Sequence, residues 1–350
     1  MKKKYQVLVL LAVVVILLGI TYHHGQRKEE RYQAQFMDVF DTVTTITGYA
    51  KNEEEFSNQV AKIKEKFQYY NNLYDIYHSY EGISNIRTIN ENAGKAPVKV
   101  EPEMIELLKL GKEMYEITQG QVNIAYGSVL LVWHEYREEG MANPEHGKLP
   151  PKELLAECAQ HTDINDLMID EEAGTVYLAD PKMSLDVGSI GKGYAVEKIA
   201  EYAKTQGMEH LLINAGGNVC GVGGHLDGSP WKIGIQNPSL DSKEDYIEKV
   251  QIADMSAVTS GDYQRYYEVE GKKYCHIIDV DTRMPAEYVA SVSVVMKDSG
   301  EADAMSTALF NMEYEKGAAL VESMPQIEAM WILKDGTIKY SSGFSAYLVK

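Results

Sequence analysis

The chain has 350 residues, 45% of them apolar and 25% charged, a globular composition that excludes a wholly disordered or fibrous protein. Its 34 Lys and Arg stand against 52 Asp and Glu, a formal charge of −18. No broad cationic surface is available for nucleic acid, and an anionic small molecule must be held by local features against the overall field. Cys158, Cys220 and Cys275 are too few for a disulfide scaffold and match no zinc spacing. They read as small buried hydrophobes, with one disulfide as the minor alternative.

Four residues, MKKK, precede an uncharged stretch over 5–26 whose centre reads VLVLLAVVVILLGI. As a helix it covers about 33 Å, enough for a bilayer core of ~30 Å, with the basic head in the cytoplasm. The following ITYHHG has no A-x-A cleavage pattern, and no cysteine follows the apolar run closely enough for a lipoprotein. Residues 1–31 therefore read as an uncleaved signal anchor in the cell membrane, with cleavage at an unrecognised site as the alternative. Residues 32–350 read as an extracytoplasmic domain carrying −22.

In that domain, 36–50 (FMDVFDTVTTITGYA) reads as a strand. A long polar helix is expected over 53–76, with Phe56, Val60, Ile63, Phe67 and Tyr70 at helical spacing, and a second over 103–118. Residues 134–152 are the most loop-like, an excursion within one domain. Short strands are expected over 163–180, with turns at 170–174. A strand–turn–helix–strand unit follows over 183–222, then short strands with helices near 303–312 and 314–323. Non-uniform strands among helices indicate an α+β fold with mixed sheets and packed helices.

The chemistry concentrates in two regions. In SLDVGSIGKGYA (184–195) a strand reaches Asp186, glycines fold the turn, and a helix runs from about residue 194 to 206, with Gly207 as its stop. Glycines and a helix N-terminus beside Lys192 resemble a phosphate cradle, although the spacing is neither that of a Walker A loop nor G-x-G-x-x-G. A tight strand–helix connection with a surface lysine explains the segment equally well. The second region joins TSGDY (259–263), HIID (276–279) and ADAMST (302–307). Asp303 and Thr307, four apart on a helix, face one way, and with a backbone carbonyl from elsewhere they make an all-oxygen site suited to Mg²⁺. Alternatively Asp303 is a helix cap. His276, in an apolar strand, reads by itself as a core histidine.

In order, DVGSIGKGYA, INAGGNV, PWKIGIQNP, AVTSGDYQRYYEVEGKKYCHIID and ADAMSTALF resemble the ApbE-type flavin transferases, the FAD:protein FMN transferases. TITGYA, NNLYDIYHSYEGISNI and EITQGQVNIAYGSVLLVW fall in the family's order too, so the resemblance covers roughly residues 36–345. It implies an α+β fold, FAD as substrate, Mg²⁺ as cofactor, and transfer of FMN to a Thr or Ser of a partner protein with release of AMP. The implied acceptors are flavoprotein subunits of membrane redox systems. The metal ligands it implies are Asp303, Thr307 and the Ser189 carbonyl, with Ser306 as an extra one. FAD contacts fall on Phe40, Tyr77, Gln121, Val122, Asn123, Asp186, Lys192 and the Ile277 backbone. In that site His276, with a pKa near neutrality, would take the acceptor's proton, oriented or replaced by Asp279 or Asp262.

The sequence departs from the family at three places. Val280, Asp281, Thr282 and Arg283 stand where the family has Pro and then T-G after a variable residue. Phe40-Asp41-Thr42 stands for Met-Gly-Thr, and Val122-Asn123-Ile124 for F-D-P. Two other classes remain open: an FAD pyrophosphatase using water, and a non-catalytic flavin-binding protein at the membrane, which would be expected to lack the Asp303/Thr307 pair.

Overall fold

The computed structural model describes residues 29–239, 242–263 and 265–350. The expected anchor over 5–26 lies outside them, and no helix among the described residues is long and apolar enough to cross a membrane.

β1 (Glu30–Val39) and β2 (Thr42–Ala50) form a hairpin where a single strand is expected over 36–50. Phe40 and Asp41 both have positive φ, 52° and 48°, as a two-residue turn matched to strand twist requires. Asn-Gly is the usual signal for such a turn, and Phe-Asp lacks it. Side chains hold the turn instead: Asn71 Oδ1 accepts the Phe40 N–H at 2.8 Å, and the Arg265 guanidinium donates to the Phe40 and Asp41 carbonyls at 3.2 and 3.0 Å.

Next comes α1 (Glu53–Tyr74), capped by Asn52, with Phe56, Ile63, Phe67 and Tyr70 buried and Val60 half-buried, as the spacing predicts. The chain continues through α2 (Ile86–Glu91), β3 (Val98–Lys99) and α3 (Pro102–Ile117). The next helix, α4 (Gly127–Ala142), runs through the first half of the stretch expected to be a loop. Tyr126, Val129 and Trp133, spaced about one turn apart, bury one side of it against Leu155, Tyr267 and Ile278. After α5 (Lys152–Cys158), β4 (Leu167–Asp170) and β5 (Thr175–Leu178) come α6 (Gly191–Thr205), β6 (Leu211–Ala215), β7 (Asn218–Val222), β8 (Trp231–Gln236) and β9 (Tyr246–Ile252). The last elements are β10 (Ser256–Gly261), β11 (Tyr266–Val269), β12 (Lys272–Cys275), β13 (Val289–Met296), α7 (Ser299–Phe310), α8 (Tyr314–Glu322), β14 (Glu328–Leu333) and β15 (Ile338–Tyr340).

The main sheet has eight strands in the order β1-β2-β6-β7-β10-β13-β14-β15. The α+β class holds, but the sheets are not mixed: every ladder between named strands is antiparallel, and the parallel pairing among the described residues is the single bridge from Tyr126 to Ser184. Alternate residues of the central strands enter two cores. Cys220, Val258, Val292, Val294 and Trp331 face the helices, while Val219, Ala257, Val295, Met330 and Ile332 face the β8–β9 hairpin. Burial on both faces leaves no exposed position in β7 or β13, where even Ser291 and Ser293 are buried. Cys220 and Cys275 are buried and Cys158 half-buried, all three as free thiols.

Candidate active site

The glycine turn before α6 does not follow a strand. Residues up to Asp186 are extended, but their hydrogen bonds go to Asn90, which brackets Leu185 at 2.7 and 2.9 Å, and to the Ile124 carbonyl, which accepts the Asp186 N–H at 2.9 Å. The helix then starts at Gly191 and stops at Gly207, which has φ of 76°. Its first turn lies against α7. A Cβ on Gly193 would come within 2.2 Å of the Ser299 carbonyl oxygen and 2.4 Å of Asp303 Cβ, so glycine is what permits this approach. The Gly193 N–H donates to Asp303 Oδ2 at 2.7 Å. Asp303 thus sits at the positive end of a helix 110 residues away in sequence.

Lys192 is half-buried and donates to the Gly216 carbonyl and Asn218 Oδ1 at 3.3 and 3.2 Å. The β6–β7 turn is therefore the third wall of the site, with Gly216 and Gly217 both at positive φ. Asn218 Nδ2 is buried without a well-aligned hydrogen-bond partner, and the amide favours the charged form of Asp303. Burial pushes the Asp303 carboxyl up, opposed by Lys192 and the Gly193 N–H, and pushes Lys192 down, opposed by Asp303. A cation on the carboxylate and an anion at the ammonium would each favour the charged form of this pair.

No group of three His, Cys, Asp or Glu able to hold a metal occurs among the described residues. The donors present are of another kind: the Asp303 carboxylate, the half-buried Thr307 one turn along α7, and the half-buried Ser189 just before α6. One carboxylate with neutral oxygens suits Mg²⁺, which keeps waters and takes phosphate oxygens from a substrate. The residues therefore fit that ion. Ser306 is less available, because its hydroxyl donates to the Asp303 carbonyl at 2.9 Å and meets Ser260 Oγ at 2.8 Å.

His276 follows β12 instead of lying within a strand, and it is half-buried. Its Nδ1 lies 3.2 Å from the Arg265 carbonyl. A carbonyl only accepts, so Nδ1 carries the proton and Nε2 keeps its lone pair. Lost hydration, together with Arg265, Arg137 and Lys192, pushes the imidazole down to about 3, well away from the neutral value expected from sequence. The residue is held neutral, with Nε2 unprotonated.

Asp279 does not orient His276. Its Oδ1 accepts the Asp281 and Thr282 N–H groups at 2.8 and 3.3 Å, and its Oδ2 the Tyr288 hydroxyl at 2.9 Å. The carboxylate is consumed in closing its own loop. Arg283 there adopts φ of 63° where the family has glycine, and Trp133 Nε1 holds its carbonyl at 2.9 Å. Asp262 pairs with Lys334 at 2.6 Å.

Arg137, one of the cations acting on His276, donates to His134 Nδ1 at 2.8 Å, and the exposed Tyr77 ring packs on His134 with centroids 4.6 Å apart. Asp186 accepts the Gly188 N–H at 2.8 Å; burial raises its pKa, while His134 and Arg137 oppose the rise. Gln121 Nε2 donates to Asp281 at 3.1 Å, and its Oε1 is buried with no partner. Val122 is buried, and the Asn123 side chain is spent on the Thr162 carbonyl and the Ala125 N–H, so a ligand would meet these two mainly through backbone. The Ile277 carbonyl is taken by the Ala286 N–H at 3.0 Å, and Phe40 occupies the β1–β2 turn. His134, Arg137 and Arg265 escape sequence reasoning. Extending the Tyr126/Val129/Trp133 period would have kept the first two on a helix face, whereas nothing local marks Arg265.

Three cations around one neutral histidine, in a chain of net −18, form a local anion-holding field beside a hard-cation donor set. The profile of the ApbE family matches residues 40–331. An FAD:protein FMN transferase of Klebsiella pneumoniae is 31% identical over 288 residues, covering 82% of this chain and 87% of the relative. One of Treponema pallidum is 28% identical over 345 residues, covering 95% and 92%. Among solved structures, the ApbE protein of Thermotoga maritima superposes with a TM-score of 0.80 at 25% identity, covering 92% of this chain and all of that one. The flavin transferase ApbE of Vibrio cholerae gives 0.75, also at 25% identity, with coverage of 92% and 100%. With the motifs, the fold and this match over most of its length in agreement, the chain belongs to the ApbE family.

Proposed function

We propose that the protein is an FAD:protein FMN transferase that moves FMN from FAD onto a Thr or Ser hydroxyl of a partner protein and releases AMP. The observation that carries this reading is the junction of Lys192, Asp303 and the first turn of α6 with a histidine whose Nε2 is free to accept a proton. The acceptor oxygen forms a bond to the FMN phosphorus, the bond from that phosphorus to the bridging oxygen breaks, and AMP leaves with that oxygen. The hydroxyl proton passes to His276 Nε2. Lys192 and the N–H groups around the α6 turn bind and orient the pyrophosphate. Mg²⁺, held by Asp303, Thr307 and the Ser189 carbonyl, would supply charge neutralisation on the phosphates. Tyr77, Asp186 and Gln121 line the flavin side, with Val122, Asn123 and Ile277 contributing backbone. Phe40 contributes through the β1–β2 turn.

The proposal extends to place. Residues 1–31 anchor the protein in the cell membrane and residues 32–350 work on its outer side, where flavoprotein subunits of redox systems are the acceptors. Incubation with FAD, Mg²⁺ and such a subunit, followed by mass spectrometry, should show an FMN adduct on Thr or Ser and one AMP for each. Free FMN and AMP with no adduct would mean an FAD pyrophosphatase instead.

A further inference from the structure

Arg265, just before β11, touches two features of the site with two different groups. Its guanidinium donates to the Phe40 and Asp41 carbonyls at 3.2 and 3.0 Å, holding the positive-φ turn. Its own carbonyl accepts from the His276 N–H at 3.1 Å and from His276 Nδ1 at 3.2 Å. The backbone that fixes the imidazole tautomer is thereby tied by its side chain to the flavin-side turn. Both bonds leave one terminal nitrogen, Nη2, whose two N–H directions are fixed by the guanidinium plane, whereas a lysine ammonium rotates freely on a flexible stem. Resting on the transferase reading, we propose that Arg265 is a positioning residue: it locks the β1–β2 turn to His276 and keeps the imidazole protonated on Nδ1, with Nε2 facing the nucleophile. The other charged groups facing His276 are Arg137 of α4 and Lys192 of α6, and neither reaches its Nδ1.

The test uses the full chain with Arg265→Ala, Arg265→Lys, His276→Ala and the double variant Arg265→Ala/His276→Ala. Misplacing a proton acceptor typically lowers a rate by about ten- to a hundredfold. Arg265→Ala should therefore lower kcat by that factor with a much smaller change in KM for FAD, Arg265→Lys should recover part of it, and the double variant should be no slower than His276→Ala. Equal losses from Arg265→Ala in both backgrounds, or a loss confined to KM, would overturn the proposal. ¹⁵N spectra of histidine-labelled protein, with the His276 signal assigned from His276→Ala, give an answer independent of activity. The wild type should show a single Nδ1–H tautomer and Arg265→Ala a mixture. A wild-type Nε2–H tautomer, or an unchanged tautomer in Arg265→Ala, would also overturn it. If no FMN transfer is found for the wild type, the transferase reading fails and the spectra still decide what Arg265 does to His276.

Discussion

Replacing Gly193 by alanine probes the contact that joins the two distant motifs. The new methyl would lie 2.2 Å from the Ser299 carbonyl oxygen and 2.4 Å from Asp303 Cβ, neither of which is the free end of a flexible side chain. Relieving such overlap by shifting helices typically costs about 1–3 kcal/mol. The shift also stretches the 2.7 Å bond from the Gly193 N–H to Asp303, and bonds to a charged group contribute roughly 1.5–3 kcal/mol. Against these, alanine gains at most about 1 kcal/mol of helix propensity. The balance is a loss of roughly 1.5–5 kcal/mol in unfolding free energy, read from urea midpoints at constant slope, with weaker Mg²⁺ binding by calorimetry. Gly207→Ala is the control: its φ is 76° and nothing lies within 4 Å of the new atom, so only local backbone strain of about 1 kcal/mol applies and Mg²⁺ binding is untouched. A Gly193→Ala protein as stable as wild type, with unchanged Mg²⁺ affinity, would refute the packing of α6 on α7 and the site built on it.

Asp303→Asn preserves the contact with Gly193 while removing the charge. Its melting temperature without Mg²⁺ should stay near wild type, the Mg²⁺-induced rise should vanish, and FMN transfer should fall by orders of magnitude; a persisting rise would remove Asp303 from the ligand set. His276 should impose no inflection on kcat/KM near pH 6.5, because its neutral form, the active one, persists down to about 3. The same depression makes the unfolded chain take the proton first. This part of the stability is therefore present above the ordinary histidine value of 6.5 and lost as pH falls from there towards about 3, a trend that His276→Ala should flatten in acid melts. Arg283→Gly relieves a φ of 63° and should raise the urea midpoint by the equivalent of about 0.5–1 kcal/mol; a lower midpoint would show that the arginine side chain, not its backbone, holds the loop.

How much of this was legible depended on whether the cause was local. The spacing of Phe56, Ile63, Phe67 and Tyr70 specified α1, and Gly207 specified the end of α6. The β1–β2 turn was missed because Phe40 and Asp41 are pushed to positive φ by Asn71 and Arg265, which are remote in sequence. The extended segment before Asp186 reads as a strand from sequence alone, but its partner is the Asn90 side chain, which no strand pattern encodes. Lys192 and Asp303 were visible as separate motifs. Their junction depends on the absence of a Cβ at Gly193, a property of the packed helices. Asp279 beside His276 suggested a catalytic pair, but hydrogen bonding inside its loop outcompeted that geometry.

Single-turnover transfer followed on one preparation, with AMP release and protein-bound FMN measured in parallel for wild type and His276→Ala, tests the central claim most directly. The account predicts that both products appear together, one for one, in the wild type, and that both slow together by about 10²–10⁴-fold in His276→Ala while folding and FAD binding are retained. Full transfer by folded His276→Ala, or AMP released without FMN reaching the acceptor in the wild type, would contradict it.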